Sequence, residues 1–126
     1  MEPSPRKAFL VSHTHWDREW YQTYNRFRVN LTEVVDRVLD ALDHGPDFRH
    51  FVLDGQSAVL EDYLEAVPDQ RDRVNRLVRE GRLSVGPWYI LPDEFLVSGE
   101  ATVRNLIFGR MTAPLGRVQK VGYMPD

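Results

Sequence analysis

The stretch FVLDGQSAVLEDYLEAVP, residues 51–68, shows the pattern that decides the fold of this chain. Its first three residues form a short apolar run of the kind found in buried strands. After DGQ, the apolar residues of 58–67 return at helical spacing, and Pro68 follows them as a helix stop. The stretch therefore predicts a buried strand at 51–53 and a helix at 58–67.

The same alternation of strand and helix extends in both directions along the chain. Short apolar runs predict three further strands, at residues 8–12, 83–85 and 121–123. Strands that alternate with helices build βαβ units around a parallel sheet. The predicted fold class is therefore α/β, and both an open layered sheet and part of a (β/α) barrel satisfy the pattern.

Helix signals fill the gaps between these strands. The other helices are expected over residues 31–42, over residues 70–80 and after Ser98. Asn30 and Glu33 resemble a capping box at the start of the first, and the HGP sequence at 44–46 ends it. Ser98 is a suitable N-cap for the last helix, and Gly81 suits the C-terminal end of the middle one.

Charge and composition exclude some classes of partner. The 126 residues contain 16 Lys and Arg against 19 Asp and Glu, a net charge of -3, and the basic residues are scattered. Such a balance leaves no basic patch for nucleic acid or for an anionic membrane surface. We therefore expect neither nucleic acid nor a membrane as a partner.

The compartment is predicted from what the sequence contains. There is no cysteine, so any metal site must use histidine and carboxylate ligands. The apolar run near the start is too short for a signal peptide, and no later run has the length of a membrane span. A cytoplasmic location is expected, with residues 1–7 as a disordered N-terminal arm and a single domain from residue 8 onward.

The sequence HTHWD places His13, His15 and Asp17 at a spacing of two. If the chain stays extended there, their side chains point to the same face. Imidazole nitrogen and carboxylate oxygen are ligands that suit zinc, although a polar loop with neighbouring histidines is the plainer alternative. Asp126 follows the last predicted strand and is a candidate third ligand, or simply a solvated terminal residue.

Polar or aromatic side chains follow every predicted strand. They are His13, His15 and Asp17 after the first strand, Asp54 after the second, Trp88 and Asp93 after the third and Asp126 after the fourth. Barrels and open α/β sheets alike build their sites at the carboxyl ends of the strands. The sequence therefore predicts a site at one rim of the sheet.

Several of these residues have two interpretations. Asp54 is followed by glycine and could begin a turn. The large aromatic residues could stack on sugar rings or could belong to the core. These aromatic residues are Trp16, Trp20, Tyr21, Trp88 and Tyr89.

Four motifs in order resemble one family. HTHWDREWY, VLDGQSAVLEDYLE, GRLSVGPWYILPDEFLVSGEATVRNLIFG and KVGYMPD look like the N-terminal catalytic region of the glycoside hydrolase family 38 α-mannosidases, and most closely like the bacterial, mannosylglycerate-hydrolase-like branch. The resemblance covers residues 8–126. It implies that this region is the first part, four strands and three crossovers, of a seven-stranded (β/α) barrel.

The resemblance also implies roles for individual residues. It makes His15, Asp17 and Asp126 ligands of one Zn²⁺ ion, while His13 is not a ligand. It makes Asp126 the catalytic nucleophile and puts Trp20 under the bound sugar. Three further residues are implied to line or support the substrate pocket: Asp54, Trp88 and Asp93.

The activity implied by the resemblance is retaining hydrolysis of an α-mannoside. Such an enzyme needs a second carboxyl group as acid and base. In the family, that aspartate and a fourth zinc ligand, a histidine, follow the nucleophile, so neither has a counterpart here. We therefore expect a truncated N-terminal fragment that is inactive alone, from a full-length parent that is a candidate homo-oligomer.

Two other classes of function stay open at this point. A metal-dependent hydrolase of another bond, such as a polysaccharide deacetylase, would also use Asp and His on a (β/α) barrel. It would need a pair of neighbouring histidines on a later strand, which this sequence lacks. A non-catalytic carbohydrate-binding remnant would keep only the aromatic residues, and its sugar binding would not depend on zinc.

Overall fold

Helices and strands alternate along residues 6–124, the part of the chain that the computed structural model describes. The elements are α1 (Tyr24–His44), β1 (Phe51–Gln56), α2 (Ala58–Ala66), α3 (Arg71–Arg79), β2 (Leu83–Trp88) and α4 (Gly99–Thr112). Short 3-10 turns follow α2 and α4, at Pro68–Gln70 and Pro114–Gly116. The predicted arm at 1–7 lies mostly outside the described residues, and Asp126 lies outside them altogether.

The two strands pair in parallel, as the α/β pattern predicts. Phe51 of β1 is opposite Leu83 of β2, and Gln56 is opposite Trp88, with shifts of register between them. The connection from β1 to β2 contains α2 and α3, so one complete βαβ unit is present. Both strands run three residues further than the sequence indicates, which carries them to the rim where the site was expected.

The first predicted strand is only partly formed. Residues 8–12 adopt no strand, and the pairing is a single parallel bridge between His13 and Val52. Two backbone bonds support it: Val52 N–H donates to the Ser12 carbonyl at 3.0 Å, and Thr14 N–H donates to the Val52 carbonyl at 3.2 Å. The prediction of a strand at 8–12 is therefore wrong in extent. Leu10 is 98% exposed, so apolar burial does not stabilise an extended strand in this segment.

The fourth predicted strand is also absent from the described part of the chain. Residues 120–121 form a bend, and the backbone link to β2 is one bond, from Gln119 N–H to the Val85 carbonyl at 3.1 Å. Pro87 removes one backbone donor from β2. The indole N–H of Trp88 instead donates to the Tyr123 carbonyl at 3.0 Å. A side-chain bond thus holds the segment that was expected to join the sheet.

Helix α1 begins earlier than its sequence signals indicate. Its N-cap is Thr23, whose side chain makes no capping bond, so the capping box predicted at Asn30 and Glu33 is wrong. Phe27 explains the difference, because it lies four residues before Leu31 and adds a buried turn to the apolar stripe. The predicted end is confirmed, since α1 ends at His44.

The signals at the ends of α3 and α4 are confirmed. Gly81 follows α3 with a φ of +72°, a left-handed conformation that glycine adopts without strain. The Ser98 hydroxyl accepts a hydrogen bond from the Ala101 N–H at 3.2 Å and caps α4. Local chemistry therefore decides where these two helices begin or end.

One core is shared by α1, α2, α3 and the two strands. Its largest fully buried side chains include Leu31, Leu39, Leu53, Leu60, Tyr63, Leu77 and Leu83. Helix α4 differs, because among its residues only Gly109 is buried. That glycine lies against the backbone of Pro87 and Trp88 and so brings α4 close to the end of β2.

Across residues 6–124, every helix is too short or too polar to span a bilayer.

Candidate active site

A cleft of about 640 Å³ opens at the carboxyl ends of the strands, where the sequence predicts a site. Its walls come from the segment that follows the His13 bridge, from the last residue of β1 and from the loop after β2. Its lining includes His15, Asp17, Arg18, Glu19, Gln56, Asp93, Glu94 and Met124. Four of these side chains carry carboxylates, so the cleft offers a site for cations and for sugar hydroxyls rather than for anions.

His15 and Asp17 are the metal-ligand candidates that the structure brings together. His15 Nε2 lies 3.5 Å from Asp17 Oδ1, and both side chains reach solvent. Two ligand atoms bound to one tetrahedral zinc ion are about 3.4 Å apart, given bond lengths of about 2.0–2.2 Å. The distance between these two atoms therefore matches the separation of two ligands of a zinc ion. Within residues 6–124, no cluster of three or more His, Cys, Asp or Glu side chains could hold a metal ion.

Asp54 lies directly behind this pair. It is fully buried, and its Oδ1 is 3.7 Å from His15 Nδ1. Its carboxylate accepts hydrogen bonds from the N–H groups of Gly55 at 2.6 Å and Trp16 at 3.0 Å, and from Gln56 Nε2 at 2.9 Å. Burial raises the pKa of Asp54, and hydrogen bonds from Gln56 and Gly55 oppose that rise.

The alternative that Asp54 begins a turn is wrong, because the residue lies inside β1. It does not line the cleft either. Asp54 holds the backbone at Trp16 and faces His15 from below, which is a supporting position of the kind that the family resemblance allowed.

Gln56 is a site residue that the sequence reasoning missed. Its Nε2 donates to the Trp16 carbonyl and to Asp54, and its Oε1 accepts from the Leu91 N–H at 3.3 Å. One buried side chain thus links the segment of His15 to the loop of Asp93. The signal was present, because residues two apart in a strand share a face and Asp54 precedes Gln56 by two.

The three remaining residues that were predicted to bind substrate differ in their exposure and in their position relative to the cleft. Trp88 is 8% exposed and packs in the interior. Trp20 is 75% exposed on the segment that follows His15 and Asp17, adjacent to the cleft-lining Glu19. Asp93 lines the cleft and is exposed. The described residues therefore bring His15, Asp17 and Asp93 to one cleft, and Trp88 is buried outside its lining.

An ion pair holds the segment that follows His15 and Asp17. Arg18 donates to both carboxylate oxygens of Asp62, from Nε at 2.7 Å and from Nη2 at 2.8 Å. Tyr24 donates its hydroxyl to the same carboxylate at 2.9 Å, and the guanidinium lies over its ring. The bond to Asp62 raises the pKa of Arg18 above its usual value. No local pattern marks this pairing, because 44 residues separate the partners.

Comparison with known proteins gives both a match to a family model and matches to solved structures. The family model for the glycosyl hydrolases family 38 N-terminal domain matches residues 5–126. The chain belongs to glycosyl hydrolase family 38. The crystal structure of an alpha-mannosidase from Enterococcus faecalis V583 is 44% identical, superposes with a TM-score of 0.86 and covers 92% of this chain. A second family 38 structure from Enterococcus faecalis is 41% identical, with a TM-score of 0.81 over 92% of this chain.

Curated relatives agree with this membership. A protein of Halalkalibacterium halodurans named "Putative mannosylglycerate hydrolase" is 44% identical over 123 residues, which is 96% of this chain. The mouse protein named "Alpha-mannosidase 2x" is 27% identical over 125 residues, which is 95% of this chain. The chain spans 14% of the length of the first relative and 11% of the second, and 13% of the first solved structure.

Proposed function

We propose that residues 8–126 are the N-terminal part of the catalytic domain of a zinc-dependent retaining α-mannosidase. The observation that supports this most is the His15–Asp17 pair, whose ligand atoms are 3.5 Å apart in a family 38 chain. The pair faces a cleft at the carboxyl ends of parallel strands, and buried Asp54 supports it from behind.

The donor set fits zinc at the two positions that the described residues supply. One imidazole nitrogen and one carboxylate oxygen are common zinc ligands, and catalytic zinc sites add a third protein ligand. The proposed third ligand is Asp126, and by resemblance a fourth lies outside this chain. A zinc ion held there would act as a Lewis acid that orients the hydroxyls of the sugar.

The reaction assigns separate tasks to the side chains of the site. In a retaining glycosidase, one carboxylate attacks the anomeric carbon and a second carboxyl group protonates the departing oxygen. We assign the attack to Asp126 and the apolar support of the ring to Trp20. We also propose that Asp93, an exposed residue of the cleft lining, accepts hydrogen bonds from sugar hydroxyls. The second carboxyl group is proposed to come from outside this chain, so the 126-residue chain alone would bind and not hydrolyse.

A seven-stranded barrel is the proposed setting of these groups. Parallel contacts join the His13 segment to β1 and β1 to β2, and residue 119 bonds to β2 in turn. This spatial order follows the chain order, as it does around a (β/α) barrel. We also propose the predicted cytoplasmic location. The proposal names the α-mannosidic bond as the bond that is cleaved, and it names no leaving group.

Calorimetric titration of the chain with methyl α-mannoside, with and without zinc, tests the proposed function. We expect binding that requires zinc and that is lost in Asp17→Asn, while Asp69→Asn, a charge-matched change at an exposed site, leaves it unchanged. Binding that is equal without zinc would favour the carbohydrate-binding remnant. Zinc binding together with selective affinity for acetylated polysaccharide would favour the deacetylase alternative.

A further inference from the structure

Tyr123 touches each of the three segments that precede it at the rim. Its hydroxyl donates to the Thr14 carbonyl at 2.8 Å and is 2.9 Å from His13 Nδ1. Its ring lies on Gly55 of β1, and its carbonyl accepts the indole N–H of Trp88 at the end of β2. The His13 segment and β1 therefore meet at the side chain of Tyr123, and β2 meets the backbone of the same residue.

Gly55 has no side chain, and the ring of Tyr123 occupies the space next to it. A Cβ atom at position 55 would lie 2.3 Å from Tyr123 Cδ1 and 2.7 Å from Cγ, which is well inside contact distance. The ring also meets His13 edge to face, with centroids 5.9 Å apart. A glycine in the strand thus leaves the space that the ring fills.

We infer that Tyr123 is a positioning residue that holds the backbone of His15, the first of the two proposed zinc ligands in the His15–Asp17 pair. Its hydroxyl bonds to the carbonyl of the peptide that joins Thr14 to His15, so it fixes the backbone from which the first ligand projects. The inference rests on the proposed function, since His15 matters here as a zinc ligand.

The same geometry assigns a role and a tautomer to His13, which the family resemblance leaves without a ligand role. A carbonyl oxygen can only accept, so the single hydroxyl proton of Tyr123 goes to Thr14. His13 Nδ1 must then be the donor to the tyrosine oxygen. The neutral ring is therefore the Nδ1–H tautomer, and His13 acts by holding Tyr123.

The test compares Tyr123→Phe with Tyr89→Phe in the 126-residue chain. The first change removes the hydroxyl and keeps the ring on Gly55. The control removes a hydroxyl of half-buried Tyr89 that donates to Glu61 at 2.9 Å in an exposed hydrogen bond. Zinc affinity is measured by competition with a chromogenic chelator, and the tautomer of His13 is read from its ring nitrogen shifts in metal-free protein in mildly alkaline buffer.

We expect Tyr123→Phe to weaken zinc binding by about tenfold, as loss of outer-shell support commonly does. Tyr89→Phe should change it by less than about twofold. Equal zinc affinity of the wild type and Tyr123→Phe would overturn the inference, and so would an Nε2–H tautomer of His13 in the wild type. If the wild type binds no zinc, the proposed function fails, and the His13 tautomer alone then decides whether the contact described here exists.

Discussion

Arg18 and Asp62 form a two-pronged ion pair, with both carboxylate oxygens bonded at 2.7 and 2.8 Å. The pair joins the segment that carries His15 and Asp17 to helix α2, and the Asp62 side chain is 6% exposed while that of Arg18 is 31% exposed. A buried partner makes this contact different from the ion pairs on the surface of the molecule. We therefore expect loss of this pair to lower the free energy of unfolding more than loss of a surface ion pair does.

Asp62→Asn should destabilise the fold by about 3 kcal/mol, because it leaves the guanidinium without its counter-charge in a partly buried place. The free energy of unfolding in urea measures this. The matched control is Glu65→Gln, which removes the surface partner of Arg28, a carboxylate that is 69% exposed. That change should cost less than about 1 kcal/mol. Equal effects of the two changes would show that the Asp62 contact is no stronger than a surface pair.

Gln56→Leu should loosen both walls of the cleft at once. The change keeps the volume approximately but leaves the Leu91 N–H and the Trp16 carbonyl without their partner. We expect a loss of about 2 kcal/mol in the free energy of unfolding, together with faster amide exchange at Leu91. Gln70→Leu, at a half-buried position, is the control and should leave exchange at Leu91 unchanged. Unaltered exchange in Gln56→Leu would contradict the bridging role.

Gly109→Ala should destabilise the contact between α4 and β2. A Cβ atom there would lie 2.2 Å from the Pro87 carbonyl oxygen and 2.6 Å from the Tyr89 nitrogen. Backbone cannot move aside cheaply, so we expect a loss of about 2 kcal/mol despite the better helix propensity of alanine. Gly99→Ala has open space around it and should be neutral or stabilising. Thermal unfolding of the two variants checks this, and a stable Gly109→Ala would rule out the close approach.

Acid should remove the contribution of Asp43. Hydrogen bonds from Arg76 and then Arg73 lower the pKa of Asp43, against an opposing effect of burial. A lowered folded pKa means that the contribution is complete above the unfolded value of about 3.9 and disappears as the pH falls through the folded pKa. Asp43→Asn should therefore cost about 1 kcal/mol near neutral pH and nothing in strong acid. A cost that is independent of pH would contradict this assignment.

Local signals in the sequence were sufficient for several elements. The apolar run at 51–53 predicts β1, and Ser98 and Gly81 mark helix ends, because each of these features acts through its immediate neighbours. The spacing of His15 and Asp17 likewise predicted their proximity. The rim position of the cleft followed from the alternation of strands and helices together with the polar side chains that follow each predicted strand.

The features that the sequence did not predict depend on distant partners. The segments at 8–12 and 121–123 have apolar composition suited to strands, yet ladder formation depends on neighbours that supply backbone partners. In the sequence, Asp62 is an ordinary polar residue of a predicted helix, because its partner Arg18 comes close to it only in the folded chain. Trp88, expected at the pocket, is buried instead, and its indole N–H donates to the carbonyl of Tyr123, 35 residues away in sequence.

The most direct test of the central claim is anomalous diffraction at the zinc edge from crystals of the chain grown with zinc. The account predicts a peak about 2.0–2.2 Å from both His15 Nε2 and a carboxylate oxygen of Asp17, which are bond lengths typical of zinc. It also predicts that the peak is lost in Asp17→Asn and kept in Asp69→Asn. A peak at His13, or no peak beside His15 and Asp17 at saturating zinc, would contradict the account.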